Sequence, residues 1–517
     1  MRKRNVFTAL AAAAMVLQLV GTAGPSAAQT APEVEFSFSP TSGLPGTKIA
    51  FTGTGCPHDA TKTHDGVVFL AQGNVNTPPV PFQSNASGAF QAELDTTGFA
   101  AGQYTTFAAC TNTGKGGPGS PFTVTAPVVP GSTYFPVTPA RVLDTRNGTG
   151  TGGTTNPIGA DSSIDVKVTG VGGVPATGVT AVALNVVATR ASGPLSWLTV
   201  WPTGETRPYA SNLNYDVGVS VTNLVIARVG IDGKVSMYND RGTIHVAADV
   251  QGWFSTDATG STYVPRDPFR ILDTRNGTGG VSTRLGAGQT MEVQVTGVGN
   301  VPAGATAVAL NVTATNVSGP ESYLTVWPSG GSRPVASNLN FTGDQTVPNL
   351  VIARVGEGGK VSVYNDVGTV DVLFDTQGYF AAPAAAGEVR PGSVYWPSNP
   401  ARILDTRDGT GVPGGHRGQL GTDATLDLQV TGRGGVPGNA TAVVLNVTVT
   451  ESPGPLSWLT VYPTGTTRPL ASNLNFVAGQ TVPNLVIARI GANGKVTIYN
   501  HAGSTVVLAD VQGYFTA

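Results

Sequence analysis

The chain is poor in cysteine, histidine and charged residues, and each scarcity argues against a class of protein or of functional site. Its two cysteines, Cys56 and Cys110, allow at most one disulfide within the chain. Charged residues make up only 12% of the chain, and the 29 basic and 31 acidic residues form no basic patch, which makes nucleic acid a poor partner. The five histidines do not recur at equivalent places, and no metal-ligand spacing or Ser/His/Asp arrangement repeats. We therefore expect no cofactor and no metal site.

Helix formers are scarce as well, and no window of useful length shows helical periodicity. Gly, Thr, Val, Asn and Pro dominate the composition, and alternating runs of Val, Thr and Leu recur along the chain. This pattern is typical of an all-β exported protein.

The first 28 residues have the three parts of a secretion signal. Basic residues at 2–4 are followed by an apolar stretch at 6–20 and by a small-residue cleavage site at 26–28. A retained membrane anchor is the weaker alternative, because the apolar run is too short to span a bilayer and ends in Gly and Pro. We expect cleavage after Ala28 and a mature protein that is secreted or held at the cell surface, without a membrane span.

Three near-copies of one long segment fill residues 133–254, 262–380 and 394–515. Their shared Leu-Asp-Thr-Arg tetrapeptide recurs at intervals of 129 and 132 residues, far longer than the unit of a solenoid. Each copy should therefore close its own core. Short segments rich in Pro, Ala and Gly join the copies, which predicts an elongated string of domains. Tandem whole domains usually supply reach or valency.

About eight strands are predicted in the first repeat, separated by turns such as Asn147-Gly-Thr-Gly and Asp232-Gly233. Some strands are apolar on both faces, such as residues 181–184 and 224–227, and must be covered on both sides. We predict three tandem β-sandwiches of the jelly-roll or Greek-key kind, with a closed barrel as the alternative.

Residues 32–126 form a separate predicted domain, whose short strands and frequent turns are typical of a β-sandwich. Cys56 and Cys110 are expected to form a disulfide between its facing sheets, and the alternative is a free thiol or a metal ligand. The segment resembles the immunoglobulin-like domains of exported bacterial surface proteins. It departs from the antibody pattern, since it has no Trp and no Tyr two residues before Cys110.

Arginine, aspartate and asparagine residues recur at equivalent positions of the three repeats, and we predict that most are structural. Arg228 shares a strand face with Leu224 and Ile226, so its guanidinium should be partly buried and needs a carboxylate. Asp144 or Asp249 is the natural partner. The functional alternative is a polar ligand cleft, repeated three times. The residues expected to form structural ion pairs are Arg141, Asp144, Arg228, Asp249, Arg270, Asp273, Arg354, Asp375, Arg402, Asp405, Arg489 and Asp510.

Paired aromatic residues on one predicted strand give the sharpest hypothesis about a ligand. Trp197 and Trp201 lie on the same face of this strand, with Thr199 between them. Such a pair can form a platform for sugar rings, or it can pack over the sandwich or against the next domain. The candidate ligand-binding residues are Trp197, Trp201, Tyr323, Trp327, Trp458 and Tyr462.

The recurring aspartates also raise the question of a glycosidase, which needs two carboxylates, one of them with a raised pKa. Arginines near each aspartate should instead hold it ionised. Turns such as residues 144–150 offer oxygen ligands for calcium but lack a dense acidic set. We therefore expect no catalytic residue and no enzymatic activity.

Three motifs in a fixed order resemble a repeat of secreted actinobacterial proteins. They are (Ala/Phe)-Arg-(Val/Ile)-Leu-Asp-Thr-Arg, Ala-Ser-Asn-Leu-Asn and Asp-x-Gln-Gly-(Tyr/Trp)-Phe, and the resemblance covers residues 133–515. It implies an extracellular or cell-wall-associated accessory module and brings no functional residues with it. We expect a secreted, non-enzymatic surface protein that acts in adhesion or as a stalk or binding module, with a cell-wall glycan or another extracellular polymer as partner. The alternatives are a carbohydrate-binding protein that uses the paired aromatics and, as the weakest, a secreted glycan hydrolase.

Overall fold

The chain is an all-β protein that divides into two compact units, Met1–Val128 and Val129–Ala517. The computed structural model describes residues 34–43, 46–72, 75–96, 99, 102–124, 131–383 and 391–517, and the predicted secretion signal lies outside them. The predicted all-β class is confirmed. Within the described ranges, no helix has the length and apolarity needed to cross a membrane.

The N-terminal unit is a sandwich of two sheets. Its strands are β1 (Glu35–Ser39), β2 (Ser42–Gly43), β3 (Lys48–Thr54), β4 (Gly66–Gln72), β5 (Val75–Asn76), β6 (Val80–Phe82), β7 (Phe90–Asp95), β8 (Gly102–Cys110) and β9 (Gly116–Val124). One sheet has the order β1-β3-β7, and the other has the order β2-β9-β8-β4-β5, with β6 paired to β4.

A disulfide joins the two sheets of this unit. Cys56 follows the last residue of β3 and Cys110 ends β8, and their Cα atoms are 5.6 Å apart. Both cysteines are buried in a core that includes Phe51 from the first sheet and Phe122 from the second. The bond therefore links facing sheets across their shared core.

Each repeat has eight strands. The first has β10 (Thr133–Asp144), β11 (Ser162–Lys167), β12 (Val179–Thr189), β13 (Ser196–Pro202), β14 (Leu213–Tyr215), β15 (Val221–Arg228), β16 (Lys234–Asn239) and β17 (His245–Ser255). The second has β18 (Thr262–Asp273), β19 (Thr290–Gln294), β20 (Ala305–Ser318), β21 (Ser322–Pro328), β22 (Leu339–Phe341), β23 (Val347–Arg354), β24 (Lys360–Asn365) and β25 (Thr369–Ala381). The third has β26 (Val394–Asp405), β27 (Thr425–Gln429), β28 (Ala440–Thr450), β29 (Ser457–Pro463), β30 (Leu474–Phe476), β31 (Val482–Arg489), β32 (Lys495–Asn500) and β33 (Val506–Thr516). Short 3₁₀ turns occur at Ile231–Gly233, Glu357–Gly359, Pro413–Gly415 and Ala492–Gly494.

The strand order of every repeat is that of a jelly roll. In the first repeat the sheet β10-β17-β12-β15 packs on the sheet β11-β16-β13-β14. We call the first of these the inner sheet, because its other face meets the neighbouring repeats, and the second the outer sheet. The inner sheets of the other two repeats are β18-β25-β20-β23 and β26-β33-β28-β31. Their outer sheets are β19-β24-β21-β22 and β27-β32-β29-β30. Two four-stranded antiparallel sheets in this order are the jelly-roll arrangement.

The inner sheets have a second buried face, which explains the stretches of their strands that are apolar on both faces. On β12, Val182 and Leu184 point into the sandwich core of their own repeat. The alternating residues Ala181 and Ala183 point the other way, into a core shared by all three repeats. We call this shared cluster the axial core; its residues are Tyr134, Ala181, Ala183, Leu224, Ile226, Phe254, Tyr263, Ala307, Ala309, Leu350, Ile352, Phe380, Tyr395, Ala442, Val444, Leu485, Ile487 and Phe515.

The predicted elongated string of domains is therefore wrong for the repeats. Strands β15, β23 and β31 contact one another in all three pairings, and so do the first strands β10, β18 and β26. Each sandwich covers only one face of its inner sheet, so the other apolar face needs a third layer. The neighbouring repeats supply that layer, and the contacts repeat cyclically around a pseudo-threefold axis.

Six aromatic rings form a closed circuit in the axial core. Around the circuit, centroid distances are 4.3 Å for Tyr134–Phe380, 4.5 Å for Tyr263–Phe515 and 4.5 Å for Tyr395–Phe254, all between different repeats. Within each repeat the tyrosine lies 4.9–5.1 Å from its own phenylalanine. The tyrosines come from the first strand of each repeat and the phenylalanines from the last, so the two terminal motifs of the repeat meet here.

The Gln-Gly pair in the closing motif makes room for this circuit. The Tyr134 hydroxyl donates to the Gln251 carbonyl at 3.0 Å. A Cβ atom on Gly252 would come within 2.2 Å of the same hydroxyl. Tyr263 and Tyr395 make the same bond, to Gln377 and Gln512, at 2.9 Å each. Glycine is required at this place because any side chain would displace the tyrosine ring.

Candidate functional site: the clefts between the repeats

Each repeat places an Arg–Asp network at the edge of its inner sheet. Register sets Arg141 of β10 opposite Asp249 of β17. The Nε and Nη2 atoms of Arg141 donate to the two carboxylate oxygens of Asp249 at 2.5 and 3.1 Å. Its Nη1 atom donates to Asp144 at 2.7 Å. One guanidinium thus bridges both recurring aspartates.

Asp144 is held by a second arginine from the turn that follows β10. The Nε and Nη2 atoms of Arg146 donate to Asp144 at 2.8 and 2.7 Å, and the Arg146 amide adds a bond of 3.0 Å. The other repeats reproduce the network with Arg270, Asp273, Arg275 and Asp375, and with Arg402, Asp405, Arg407 and Asp510.

The two aspartates of each network differ in their pKa values. Burial opposes ionisation of Asp144, but its bonds to Arg146 and the charge of Arg141 hold its pKa at about 2. The pKa values of Asp273 and Asp405 are lowered in the same way. Burial has the larger effect on the second aspartate: it raises the pKa of Asp375 to about 6 in spite of Arg270. The arginines therefore lower the pKa of the first aspartate, as the sequence predicts, whereas burial outweighs them at the second.

This difference in pKa does not create a glycosidase pair. The carboxylate with the raised pKa is 1% exposed in Asp249 and in Asp375, and both of its oxygens accept bonds from the partner arginine. A general acid must reach the glycosidic oxygen, and this group has no open side from which to do so.

Arg228, Arg354 and Arg489 do not join these networks, contrary to the predicted pairing with Asp144 or Asp249. Arg228 pairs with Glu205 of its own repeat and donates to Asn399 of the third repeat at 2.8 Å. Arg489 donates to Asp267 of the second repeat at 2.7 Å. Arg354 is exposed. All three arginines end the inner edge strands, away from the carboxylates of their own sheet, and Arg228 and Arg489 there reach a neighbouring repeat.

The loop that follows β13 covers one residue of the predicted aromatic pair and leaves the other half-buried. Trp201 is buried, and its Nε1 atom donates to the Glu205 carbonyl at 3.0 Å. Trp327 is likewise buried, with a bond to Gly331 of 3.0 Å, and Tyr462 is buried at the third position. These three residues are not part of a ligand platform, because the loop folds back over them.

The first aromatic of each pair stays half-buried, and two of the three line inter-repeat clefts. Trp197 lies in the first cleft, of about 340 Å³, between the first and third repeats. Trp458 lies in the second cleft, of about 370 Å³, between the third and second repeats, and stacks on His501 at 3.6 Å. Tyr323 is half-buried at the equivalent position of the second repeat.

One wall of each cleft is the Arg–Asp network of one repeat, and the other is the outer sheet of the next. Arg402 and Arg407 face Trp197 and Arg207 across the first cleft. Arg270, Asp273 and Arg275 face Trp458 and Arg468 across the second.

The same walls meet between the first and second repeats. There the Ser337 amide donates to Asp249, and the Asn185 side chain donates to the Ser337 carbonyl. The corresponding bonds from Asn311 to Ser472 and from Asn446 to Ser211 are 2.6 and 2.7 Å long.

The outer wall of each cleft carries an arginine stacked on a tyrosine. The guanidinium carbon of Arg207 lies 3.4 Å from the ring centroid of Tyr238, and the Tyr238 hydroxyl donates to Asp161 at 2.9 Å. Arg333 over Tyr364 and Arg468 over Tyr499 repeat the arrangement at 3.6 and 3.7 Å. Stacking holds each exposed guanidinium flat against its tyrosine ring.

Recurring asparagines at the axis join the repeats to one another. The Leu224 amide on the edge strand β15 donates to Asn349 of the second repeat at 3.2 Å. Leu350 and Leu485 donate equivalently to Asn484 and Asn223 at 3.2 and 3.0 Å. Each inner edge strand is thus capped by a neighbouring repeat. Beyond these bonds, a cavity of about 450 Å³ lies on the axis, lined by Val221, Val347 and Val482.

No group of three or more His, Cys, Asp and Glu side chains in the described ranges could hold a metal ion. The turns considered for calcium instead direct Asp144, Asp273 and Asp405 at arginines. The N-terminal unit has one buried aspartate, Asp65, which accepts bonds from His58, Ser84 and Asn112 and fixes the loops near the disulfide.

No protein family model and no curated protein matches the chain. Among solved structures, it is similar to the N-terminal CBM22-1–CBM22-2 tandem domain of Xyn10C from Paenibacillus barcinonensis. The identity is 11%, over 49% of this chain and 99% of that one, with a TM-score of 0.14. It is also similar to a structure of the triple jelly roll fold and turret assembly in an archaeal virus. Here the identity is 9%, over 74% of this chain and 90% of that one, with a TM-score of 0.15. At such low TM-scores, neither similarity informs the function.

Proposed function

We propose that the protein is a secreted, non-enzymatic surface protein whose repeat unit binds an extracellular glycan at the three inter-repeat clefts. The observation that carries this proposal is the cyclic repetition of one composite wall pair, an Arg–Asp network facing a half-buried aromatic, around a single axis. Secretion follows from the signal-like first 28 residues.

The chemistry of the clefts suits a sugar. A half-buried aromatic ring offers a face for the C–H surface of a pyranose, and arginine and threonine groups beside it offer hydrogen bonds to hydroxyls. In the first cleft these groups are Trp197 on one wall and Arg407 and Thr450 on the other. The paired carboxylates give this surface a fixed shape without providing an accessible acid.

The symmetry of the unit suits a polymer. Two clefts of the same construction, with matching walls between the first and second repeats, can engage several segments of one polysaccharide, or several chains, so weak single-site binding adds up to strong attachment. A protein that turns over its substrate gains nothing comparable from this arrangement, whereas an adhesion or wall-binding module does.

The test is binding of the full chain to an array of soluble and cell-wall polysaccharides, alongside the triple variant Trp197→Ala, Tyr323→Ala, Trp458→Ala. We expect the triple variant to keep its far-UV circular dichroism and melting temperature within a few degrees, since these side chains are half-buried, and to lose binding about tenfold or more.

Phe135→Ala is the matched control, because Phe135 is a half-buried aromatic stacked on Trp253 at 4.1 Å, outside the lining of the clefts. It should bind as the wild type does. Equal binding by the triple variant would show that the clefts are not the site. Release of reducing ends from any bound glycan would show that the protein is a hydrolase.

A further inference from the structure

Arginine is concentrated in the clefts. The lining of the first cleft includes Arg207, Arg241, Arg402 and Arg407, and the lining of the second includes Arg270, Arg275 and Arg468. The arginines of the inner walls are paired with the aspartates of their own networks, and Arg241 is paired with Asp240. Arg207 and Arg468 on the outer walls instead stack on tyrosine rings.

Two guanidinium groups in each cleft come from opposite walls. In the first cleft Arg407 belongs to the third repeat and Arg207 to the first; in the second, Arg275 belongs to the second repeat and Arg468 to the third. The Arg407 and Arg275 side chains are 45% and 44% exposed although each is bonded to an aspartate. They therefore retain donor edges for a further partner.

The inner arginine is oriented by its aspartate. Arg407 uses Nε and Nη2 for Asp405, at 2.9 and 2.6 Å, so Nη1 lies at the edge of the guanidinium away from that carboxylate. Arg207 on the opposite wall is held flat on Tyr238. Two oriented guanidinium groups are suited to planar oxyanions, which accept two parallel bonds from one guanidinium.

Exposed side chains next to these arginines differ among the repeats, whereas the arginines do not. The rim positions two residues after the stacked arginine are Tyr209, Val335 and Leu470, exposed by 92, 82 and 84%. Arg207, Arg333 and Arg468 are exposed too, yet arginine occupies all three places. Planar stacking on tyrosine already favours arginine over lysine at these places, and the same guanidinium is exposed at the rim of the cleft.

We propose that the clefts recognise carboxylate-bearing sugars, so that the ligand of the repeat unit is an acidic polysaccharide rich in uronic acid. This inference rests on the proposed glycan binding and specifies its substrate class. The carboxylate of the sugar lies between the two guanidinium groups of a cleft, and the half-buried aromatic supports its ring.

The experiment compares three probes on the full chain: a polyuronate, the same polymer with its carboxyl groups methyl-esterified, and a sulfated polysaccharide of a neutral sugar. We expect the free polyuronate to bind about tenfold or more tightly than its ester, with affinity that falls as NaCl rises. The triple variant Arg207→Gln, Arg333→Gln, Arg468→Gln should remain folded, because these side chains are exposed, and should bind both forms equally.

The control variant Arg266→Gln, Arg417→Gln, Arg433→Gln removes the same charge elsewhere; Arg266 is also stacked on a tyrosine, Tyr379, at 5.3 Å. It should keep the preference. Equal binding of the free and esterified polymers would overturn the inference and leave glycan binding standing. Binding of the sulfated probe alone would overturn the carboxylate assignment. If no neutral, uronic or sulfated glycan binds, the proposed function itself fails.

Discussion

The axis and the cleft rims of the repeat unit differ in how much equivalent positions vary among the three repeats. At the axis, Tyr134, Tyr263 and Tyr395 occupy one position without change, and each is completely buried. At the rims, equivalent positions hold tyrosine, valine and leucine in almost full exposure. The axis must close a circuit that includes all three repeats, so one altered ring affects two neighbours. The rims meet only solvent or ligand, so each cleft is free to differ from the next.

The largest effect should come from breaking the axis. Phe380→Ala removes a ring that contacts Tyr134 and Tyr263, and we expect a loss of about 3–5 kcal/mol in the free energy of unfolding. Leu470→Ala at a rim should change it by less than about 0.5 kcal/mol. All six tryptophans lie in the repeats, so their fluorescence in a denaturant titration reports on this unit alone. Similar losses in the two variants would erase the distinction between axis and rim.

A smaller effect should come from the network that forms the inner cleft wall. Arg270→Ala leaves the buried carboxylate of Asp375 without its two bonds and should destabilise the protein by about 3 kcal/mol. Arg275→Ala removes a half-exposed partner of Asp273 and should cost about 1 kcal/mol. The same denaturant titration measures both. A larger loss for Arg275→Ala than for Arg270→Ala would contradict the assigned geometry.

The two aspartates of this network should respond oppositely to pH. Burial raises the pKa of Asp375 to about 6, above the unfolded value, so its contribution is fully present below about pH 4 and is lost as pH rises through 6. Arg275 and Arg270 lower the pKa of Asp273 against the effect of its burial, so its contribution is present above about pH 4 and is lost in more acidic solution.

Melting curves from pH 3 to 8 for the wild type and Asp375→Asn measure the first effect. Between pH 4 and 7 the wild type should lose on the order of 2 kcal/mol relative to the variant. A difference that is constant with pH would show that Arg270 fully compensates burial. Asp273→Asn is the matched comparison, since its difference from the wild type should grow as pH rises from 3 to 5.

The smallest effect concerns the ion pair between repeats at the ends of the edge strands. Arg489 pairs with Asp267, and both side chains are partly exposed. Arg354, at the equivalent position of the second repeat, is exposed. Arg489→Ala should therefore lower the free energy of unfolding by at most about 0.5 kcal/mol, with less change for Arg354→Ala, and added salt should remove the difference. A loss above about 1 kcal/mol would mean that this pair contributes to holding the repeats together.

Much of the repeat could be predicted from its sequence, but the closure of the ring was not. Alternation and turns indicate the eight strands, and recurring Arg and Asp indicate paired charges. The apolar faces of residues 181–184 were also visible, and a two-layer sandwich cannot cover both. These faces indicate a third layer supplied by another repeat. The composition of the linkers, however, indicates spacers between separate domains. Linker composition does not reveal whether domains touch, because the energy lies in contacts such as Tyr134 on Phe380.

The clefts were predictable only in part. Strand alternation predicts Trp197 and Trp201 together as one candidate binding pair. Alternation gives the face of a strand but not what covers it, and here the following loop covers one residue of the pair. Asn399, which accepts a bond from Arg228, and Asp267, the partner of Arg489, lie on other repeats, so no pattern within one repeat could locate them.

Amide hydrogen exchange on the full chain tests most directly whether the three repeats close around one axis. The amides of Leu224, Leu350 and Leu485 lie on free strand edges and donate to asparagines of other repeats. If the ring is closed, they should exchange only through global unfolding of the repeat unit, as slowly as amides in the sandwich cores. Exchange at the rate of an open strand edge, with the sandwich cores still protected, would show that the repeats are separate domains.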